Sequence, residues 1–165
     1  MTALVRMTSR GLRTHQDRIL EIETLSSPSP WGLSSFEAET TNPFSRFWGV
    51  TGQGTLRGYI CFWLCDRAYE LLNIAVHPET RRKGLGKRLI KCMLEQGVAE
   101  GIKTVWLEVR PSNRIAWRLY RTMGFKEVGR RPRYYRNPDE DAIIMASGPP
   151  TLEDPIPDRT EHLRI

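Results

Sequence analysis

The feature that most constrains the fold is an apolar strand pattern that leads into a loop of glycines and cations, which in turn begins a helix. Residues 70–76 are mostly apolar and are closed by His77-Pro78. The loop that follows contains Arg81-Arg82-Lys83-Gly84-Leu85-Gly86-Lys87-Arg88. Glycines let backbone N–H groups approach a ligand closely, and a helix N-terminus adds positive partial charge. The sequence therefore predicts an anion site at the end of a strand, suited to a pyrophosphate.

Neither common phosphate motif accounts for this loop. The P-loop requires Ser or Thr after Gly-Lys, whereas Gly86-Lys87 is followed by Arg88. The dinucleotide pattern GxGxxG fails at its third glycine, where Leu89 stands. A solvated basic turn is the alternative explanation. Two glycines at the start of a helix favour a functional role, because each weakens a helix by about 1 kcal/mol relative to alanine.

Hydrophobic periodicity around the loop predicts strands that alternate with helices in the second half of the chain. Predicted strands are 46–51, 58–65, 70–76, 103–109, 125–130 and 141–146, and predicted helices are 13–25, a short one from Phe36, 84–101 and 113–123. We expect Thr14 to cap the first helix, Asn113 to cap the last, and both Val98 and Ile115 to face inward. This order of elements predicts a mixed α/β sheet.

Length and charge limit the classes of function. The length suits one domain, which we predict over residues 1–147, followed by a proline-rich exposed tail over 148–165. With 25 basic and 19 acidic residues the net charge is +6. Such a charge suits nucleic acid, an acidic surface or a phosphate-bearing cofactor.

The sequence also predicts a cytoplasmic protein without a metal. No apolar run approaches the ~20 residues that span a bilayer, and the basic N-terminus lacks the apolar segment of a secretory signal. The three cysteines have no His or further Cys at metal-ligand spacing. Reduced thiols are therefore expected.

The loop Arg81-x-x-Gly84-x-Gly86 after such a strand resembles the acetyl-coenzyme A loop of the GNAT (GCN5-related) N-acetyltransferase superfamily. The resemblance continues through Leu107-Glu108-Val109-Arg110-Pro111-Ser112-Asn113, Leu119-Tyr120, Gly124-Phe125, Arg133-Tyr134-Tyr135 and Glu140-Asp141-Ala142. Taken together, residues 14–146 resemble one branch, the bacterial ribosomal-protein alanine N-acetyltransferases. The resemblance implies a GNAT fold, with a mixed, mostly antiparallel central sheet, splayed central strands and flanking helices.

The same resemblance implies a role for individual residues. Glu108 matches the general base, and Tyr120 matches the general acid that protonates the leaving thiolate. The implied acetyl-coenzyme A contacts are Ile74, Ala75 and Val76 for the pantetheine arm, Arg82, Lys83, Gly84, Leu85, Gly86 and Lys87 for the pyrophosphate, and Asn113. Trp31 and Tyr134 match positions that border the entrance for the acceptor peptide. No metal is implied.

Structural alternatives stay open for the two catalytic candidates. Glu108 could form a salt bridge to a nearby arginine, and Tyr120 could be a packing residue of an amphipathic helix. Asn113 is expected to cap its helix whether or not it also contacts acetyl-coenzyme A.

The expected function is transfer of acetyl from acetyl-coenzyme A to the N-terminal α-amino group, with alanine first, of a protein such as a ribosomal protein. An α-amine has a pKa of ~7.7–8.0 and is partly neutral near neutral pH, so direct attack needs no covalent acyl-enzyme. One alternative is an acetyltransferase for a small amine or a lysine side chain. A second is a nucleic-acid-binding module, although direct nucleic-acid binding is not expected because the chain lacks interleaved aromatics and a binding motif.

Overall fold

The computed structural model describes residues 1–148, so all of the predicted tail over 148–165 except Gly148 lies outside the described residues. The strands are β1 (Thr2–Arg6), β2 (Ser45–Gly52), β3 (Thr55–Cys65), β4 (Ala68–Val76), β5 (Thr104–Val109), β6 (Lys126–Tyr135) and β7 (Glu140–Ser147). The helices are α1 (Ser9–Ser26), α2 (Leu33–Thr41), α3 (Leu85–Ala99) and α4 (Arg114–Thr122). None of these helices is long and apolar enough to cross a membrane.

The seven strands form one sheet in the order β1-β2-β3-β4-β5-β7-β6. Every neighbouring pair is antiparallel except β4 and β5, which run parallel. The β4–β5 pairing covers only three residue pairs and ends at Glu70 and Trp106. Beyond that point each strand pairs only with its outer neighbour. The predicted mixed, mostly antiparallel sheet with splayed central strands is therefore confirmed.

Two helices cover each side of the sheet. On one side, called here the α1 face, α1 and α2 pack through a cluster that includes Ile19, Ile22 and Phe36. On the other side, the α3 face, α3 and α4 pack on alternate residues of β5, namely Val105, Leu107 and Val109. Because successive strand residues point to opposite faces, Trp106 and Glu108 of β5 lie on the α1 face.

The first part of the chain differs from the prediction. Strand β1 was not predicted, and it pairs with β2 at the sheet edge. Helix α1 begins at Ser9 rather than Arg13, because the Thr8 hydroxyl accepts a hydrogen bond from the Gly11 amide at 3.1 Å and caps the helix. Thr14 lies within the helix, where its hydroxyl donates to the Arg10 carbonyl at 3.1 Å. The predicted Thr14 cap is therefore wrong.

Two residues predicted to face inward are exposed. Val98 and Ile115 each expose 79% of their surface. Gly97, not Val98, contacts the sheet through the Tyr69 ring, and the next residue of a helix is rotated by about 100°. The buried residue of α4 is Tyr120, five positions after Ile115 and therefore far round the helix. The periodicity located both helices but placed these two side chains on the wrong side.

Candidate active site

The centre of the candidate site is the gap that opens where β4 and β5 diverge. The register of β3 on β4 shifts so that Cys61 pairs with Asn73 and Phe62 with Leu71, which leaves Leu72 as an extra residue. Such a bulge bends a strand and increases its local twist. Beyond it, the segment Ile74–Val76 pairs with β3 on one side only. A ligand with amide groups can pair with the other side, where an unsatisfied buried amide would cost about 1–3 kcal/mol.

The glycine and cation loop follows this segment directly. Arg82 and Gly84 both have left-handed backbones, with φ of +61° and +77°. A non-glycine residue held in this conformation stores strain of about 1–3 kcal/mol, which is typical of functional loops. Gly84 is the N-cap residue of α3 and has no side chain, so the first N–H groups of the helix receive no side-chain acceptor from it. Arg82, Lys83 and Lys87 are exposed beside them. This arrangement suits an anionic ligand.

Arg81 fixes the loop to the rest of the fold. Its Nε donates to the Val76 carbonyl at 3.0 Å, and its Nη2 donates to the Ser26 hydroxyl at the end of α1 at 3.0 Å. Leu85 is buried and anchors the first turn of α3 in the core. The loop is therefore held at both ends while its middle remains exposed.

The two glycines of the loop occupy different surroundings. A Cβ atom at Gly84 would meet nothing within 4 Å, whereas one at Gly86 would lie 3.0 Å from Leu119 Cδ2 on α4. Gly86 thus also permits the close approach of α3 and α4, a role that the sequence did not reveal. Asn113 caps α4, as predicted, since its Oδ1 accepts from the Ala116 amide at 3.2 Å.

Glu108 lies beyond the last β4–β5 pair, with its side chain only 5% exposed. Arg131 of β6 forms a salt bridge with it, with 2.8 Å between Arg131 Nε and Glu108 Oε1. The guanidinium also lies 5.9 Å from the centre of the Tyr134 ring. The salt bridge that the sequence left open as an alternative is therefore present. Arg131 thus contacts both the predicted general base, Glu108, and Tyr134, which is predicted to border the acceptor entrance. The sequence analysis did not identify Arg131.

Tyr120 lies on the opposite side of the sheet from Glu108. It is buried in the α3-face cluster, with its ring centre 5.9 Å from that of Phe125. Burial raises the pKa of the Tyr120 phenol well above its usual range, so the hydroxyl keeps its proton at neutral pH. Beyond the last β4–β5 pair the two strands are not hydrogen-bonded to each other, so the sheet is open between the side of Glu108 and the side of Tyr120.

Trp31 and Tyr134, the two residues predicted to border the acceptor entrance, belong to different parts of the fold. Trp31 precedes α2, and its ring packs 5.3 Å from that of Phe36. Tyr134 lies at the end of β6, and its ring meets that of Tyr135 edge-on at 5.0 Å. Both are half-buried. Trp31 packs on the cluster that includes Tyr59 of β3, whereas Tyr134 belongs to β6, on the other side of β5 in the strand order.

A clamp of motif residues holds the β6–β7 turn against the end of β5. Arg110 donates to two carbonyls of that turn, each at 3.0 Å, and to Glu140 Oε2 at 3.2 Å. Its guanidinium also lies 4.3 Å from the centre of the Tyr135 ring. Ser112 donates to the same Glu140 carboxylate through its amide at 3.1 Å and its hydroxyl at 2.8 Å. The clamp therefore fixes the hairpin that carries Arg131 and Tyr134.

The clamp predicts an acid-dependent loss of stability. The Ser112 hydrogen bond, followed by Arg110, lowers the pKa of Glu140. A lowered folded-state pKa gives stability that is present above the unfolded value of ~4.3 and is lost as pH falls through the folded value. We expect Glu140→Gln to lower the melting temperature at pH 7 and to match wild type at the acidic end of a pH series. A pH-independent difference in melting temperature would contradict this assignment.

The described residues also bear on metal and thiol chemistry. Within residues 1–148, no cluster of three or more His, Cys, Asp or Glu side chains could hold a metal ion. The three cysteines, Cys61, Cys65 and Cys92, are all unbridged thiols. Burial raises the pKa of Cys61 to about 12, which makes this thiol a poor nucleophile at neutral pH.

Comparison with known proteins agrees with this geometry. Residues 16–125 match the acetyltransferase (GNAT) family. The [ribosomal protein bS18]-alanine N-acetyltransferase of Haemophilus ducreyi is 37% identical over 136 residues, which cover 79% of this chain and 91% of that protein. N-alpha-acetyltransferase RimI of Mycobacterium tuberculosis is 37% identical over 138 residues, covering 80% and 85%. The crystal structure of the ribosomal-protein-S18-alanine N-acetyltransferase from Escherichia coli superposes with a TM-score of 0.80 at 29% identity, covering 93% of this chain and 98% of that one. Family match, relatives and fold agree, and the chain belongs to the GNAT family of acetyltransferases.

Proposed function

We propose that this protein transfers acetyl from acetyl-coenzyme A to the N-terminal α-amino group of a protein, with alanine as the first residue and a ribosomal protein as the acceptor. The ribosomal-protein-alanine N-acetyltransferases among the relatives support this acceptor, and the N-alpha-acetyltransferase among them supports an α-amino group. The observation that carries the proposal is the position of Glu108 beyond the last β4–β5 pair, where its carboxylate meets Arg131 of the hairpin that carries Tyr134. The reaction would take place in the cytoplasm, where ribosomal proteins are made.

The acetyl-coenzyme A site is proposed along β4 and the loop after it. The one-sided pairing of β4 there suits the amide groups of a pantetheine arm, and the exposed, left-handed loop suits a pyrophosphate. The residues assigned to it are Ile74, Ala75, Val76, Arg82, Lys83, Gly84, Leu85, Gly86, Lys87 and Asn113. Bound there, acetyl-coenzyme A supplies an activated thioester carbonyl.

The chain's own residues then supply positioning and proton transfer. Glu108 accepts the proton that the α-amine gives up, and Arg131 holds its carboxylate in place from β6. The assigned proton donor for the departing sulfur is Tyr120 on the α3 face, although the burial that raises its pKa weakens it as an acid. An α-amine with a pKa of ~7.7–8.0 requires less help from a base than a lysine at ~10.4 does.

Mass spectrometry of N-terminal peptides tests the acceptor. The protein is incubated with acetyl-coenzyme A and purified ribosomal proteins, and we expect one acetyl group on the α-amine of an alanine-initiated N-terminus. Omitting the enzyme is the control. Equal rates on free lysine, spermidine and an alanine-initiated peptide would favour the small-amine alternative instead. Absence of thermal stabilisation by acetyl-coenzyme A would contradict an acetyltransferase altogether.

Tyr134→Ala tests the acceptor entrance. We expect KM for the peptide to rise about three- to tenfold, the effect of losing one aromatic contact of ~0.5–1.5 kcal/mol, while KM for acetyl-coenzyme A stays unchanged. Steady-state kinetics with each substrate varied in turn measures both. Tyr135→Ala is the matched control, because Tyr135 packs against Arg110 of the clamp and its loss should lower stability. If Tyr134→Ala changes both KM values together, Tyr134 is a packing residue.

A further inference from the structure

Glu23 of α1 is a carboxylate buried to 1% exposure on the α1 face of the sheet. Its Oε1 accepts a hydrogen bond from the backbone amide of Trp31 at 2.9 Å. Its Oε2 accepts from Asn73 Nδ2 at 3.1 Å and from the Tyr59 hydroxyl. The three donors belong to three different elements, namely the segment between α1 and α2, strand β4 and strand β3.

These hydrogen bonds are what makes the buried carboxylate tolerable. A charged group without partners is very costly to bury, and hydrogen bonds to charged groups are stronger than neutral ones. Burial, followed by the adjacent Glu23 carboxylate, raises the pKa of Tyr59 well above its ordinary value, so the phenol remains a donor at neutral pH. Replacing the carboxylate would leave buried donors unsatisfied. Glu23 therefore holds all three partners in one arrangement.

Two of the partners bear directly on the proposed substrates. Trp31 is fixed at its backbone by Glu23 and at its ring by Phe36, which in turn meets the Tyr59 ring edge-on at 5.4 Å. Asn73 immediately precedes the segment Ile74–Val76 and directly follows the bulge in β4. The Glu23 side chain thus connects Trp31, which is assigned to the acceptor entrance, to β4, which is assigned to acetyl-coenzyme A.

We propose that Glu23 is a positioning residue, which sets the distance between the bound acceptor amine and the thioester. It touches neither substrate and acts through Trp31 and Asn73. Transfer between two bound molecules depends steeply on geometry, and a displacement of about 1 Å can reduce the rate by 10²-fold. The assignment of Trp31 to the acceptor peptide and of the strand after Asn73 to acetyl-coenzyme A rests on the proposed function.

Glu23→Gln tests the kinetic part of the inference. Glutamine has nearly the same shape, but its amide nitrogen cannot accept a hydrogen bond, so at least one of the three donors loses its partner. We expect kcat/KM for an alanine-initiated peptide to fall by about 10- to 100-fold, with the KM for acetyl-coenzyme A unchanged. Tyr59→Phe is the matched variant, because it removes one donor and retains those of Trp31 and Asn73. It should keep peptide activity within about threefold of wild type. Equal losses in both variants would overturn the inference.

Hydrogen exchange at the Trp31 amide gives a readout that does not depend on the acceptor. The chain has five Trp residues, so a protein labelled with ¹⁵N-tryptophan gives a simple spectrum, and Trp31→Phe assigns the signal. We expect slow exchange at Trp31 in wild type and Tyr59→Phe, and exchange at least about tenfold faster in Glu23→Gln. Unchanged exchange in Glu23→Gln overturns the inference, and so does faster exchange with unchanged peptide kinetics.

The two measurements separate this inference from the proposed function. If wild type acetylates no alanine-initiated peptide, the proposed function fails, while the exchange data still decide whether Glu23 holds Trp31. If Glu23→Gln is too unstable to purify, Asn73→Ala replaces it. That variant removes only the β4 donor and should lower kcat for the peptide with slow Trp31 exchange preserved. Wild-type kcat in Asn73→Ala would overturn the inference.

Discussion

Glu108→Gln is expected to lower kcat by about 10²–10⁴-fold, the range for losing a general base, while the affinity for acetyl-coenzyme A stays near wild type. The physical reason is that glutamine keeps the shape of the side chain but cannot take the proton of the attacking amine. Steady-state kinetics with an alanine-initiated peptide measures kcat, and titration calorimetry measures the binding of acetyl-coenzyme A. The defect should shrink toward pH 9, where more of the α-amine is already neutral.

Arg131→Gln is the matched control, because it breaks the same salt bridge from the other side. It leaves the carboxylate of Glu108 in place and should cost far less kcat than Glu108→Gln. If Glu108 were only the structural partner of Arg131, the two variants would lose stability and activity to the same extent. Unchanged turnover of Glu108→Gln at neutral pH would remove Glu108 from the mechanism.

Gly84→Ala is expected to weaken acetyl-coenzyme A binding by about 10- to 100-fold, the effect of disturbing one or two hydrogen bonds to a charged group. The added methyl group would stand in open space at the start of α3, where the pyrophosphate is proposed to lie. It also forces alanine into a left-handed backbone, which costs about 1–2 kcal/mol of stability. Titration calorimetry measures the affinity.

Gly101→Ala separates strain from ligand contact. Gly101 follows the other end of α3, has φ of +76° against +77° at Gly84, and likewise has nothing within 4 Å of an added Cβ. Both variants should lose similar stability in thermal unfolding, but only Gly84→Ala should lose affinity. Equal affinities in the two variants would contradict the pyrophosphate assignment. Gly86→Val is less decisive, because its side chain would also press on Leu119.

The sequence predicted the second half of the fold well because its signals are local. The loop before α3, the Asn113 cap and the alternation along β5 are each encoded within a few adjacent residues. The first part lacked such signals. Strand β1 is five residues long and exists through its pairing with β2, some 45 residues later in the chain. The start of α1 at Ser9 was not predicted because Gly11 lies in its first turn, and glycine has a low helix propensity.

The candidate site was predictable only in part, for a related reason. Glu108 and Tyr134 stand within motifs that resemble the family, and the structure places them beside a shared arginine. The connections between elements are invisible in one sequence. Glu23 meets Tyr59 and Asn73 across 36 and 50 residues, and nothing in the local pattern around Glu23 indicates either partner. Such contacts follow from the packing of α1 on the sheet.

Because only three residue pairs join β4 to β5, the architecture allows the chain to form in two stages during synthesis. Strands β1 to β4 pair among themselves, so residues 1–76 contain every strand of this four-stranded antiparallel part before β5 leaves the ribosome. Domains and subdomains that emerge first can fold first during synthesis. Strand β5 is then added through the α3 crossover, and β6 and β7 follow as a hairpin. The catalytic carboxylate candidate, Glu108, therefore arrives with the second stage, on the strand that docks onto a surface already formed.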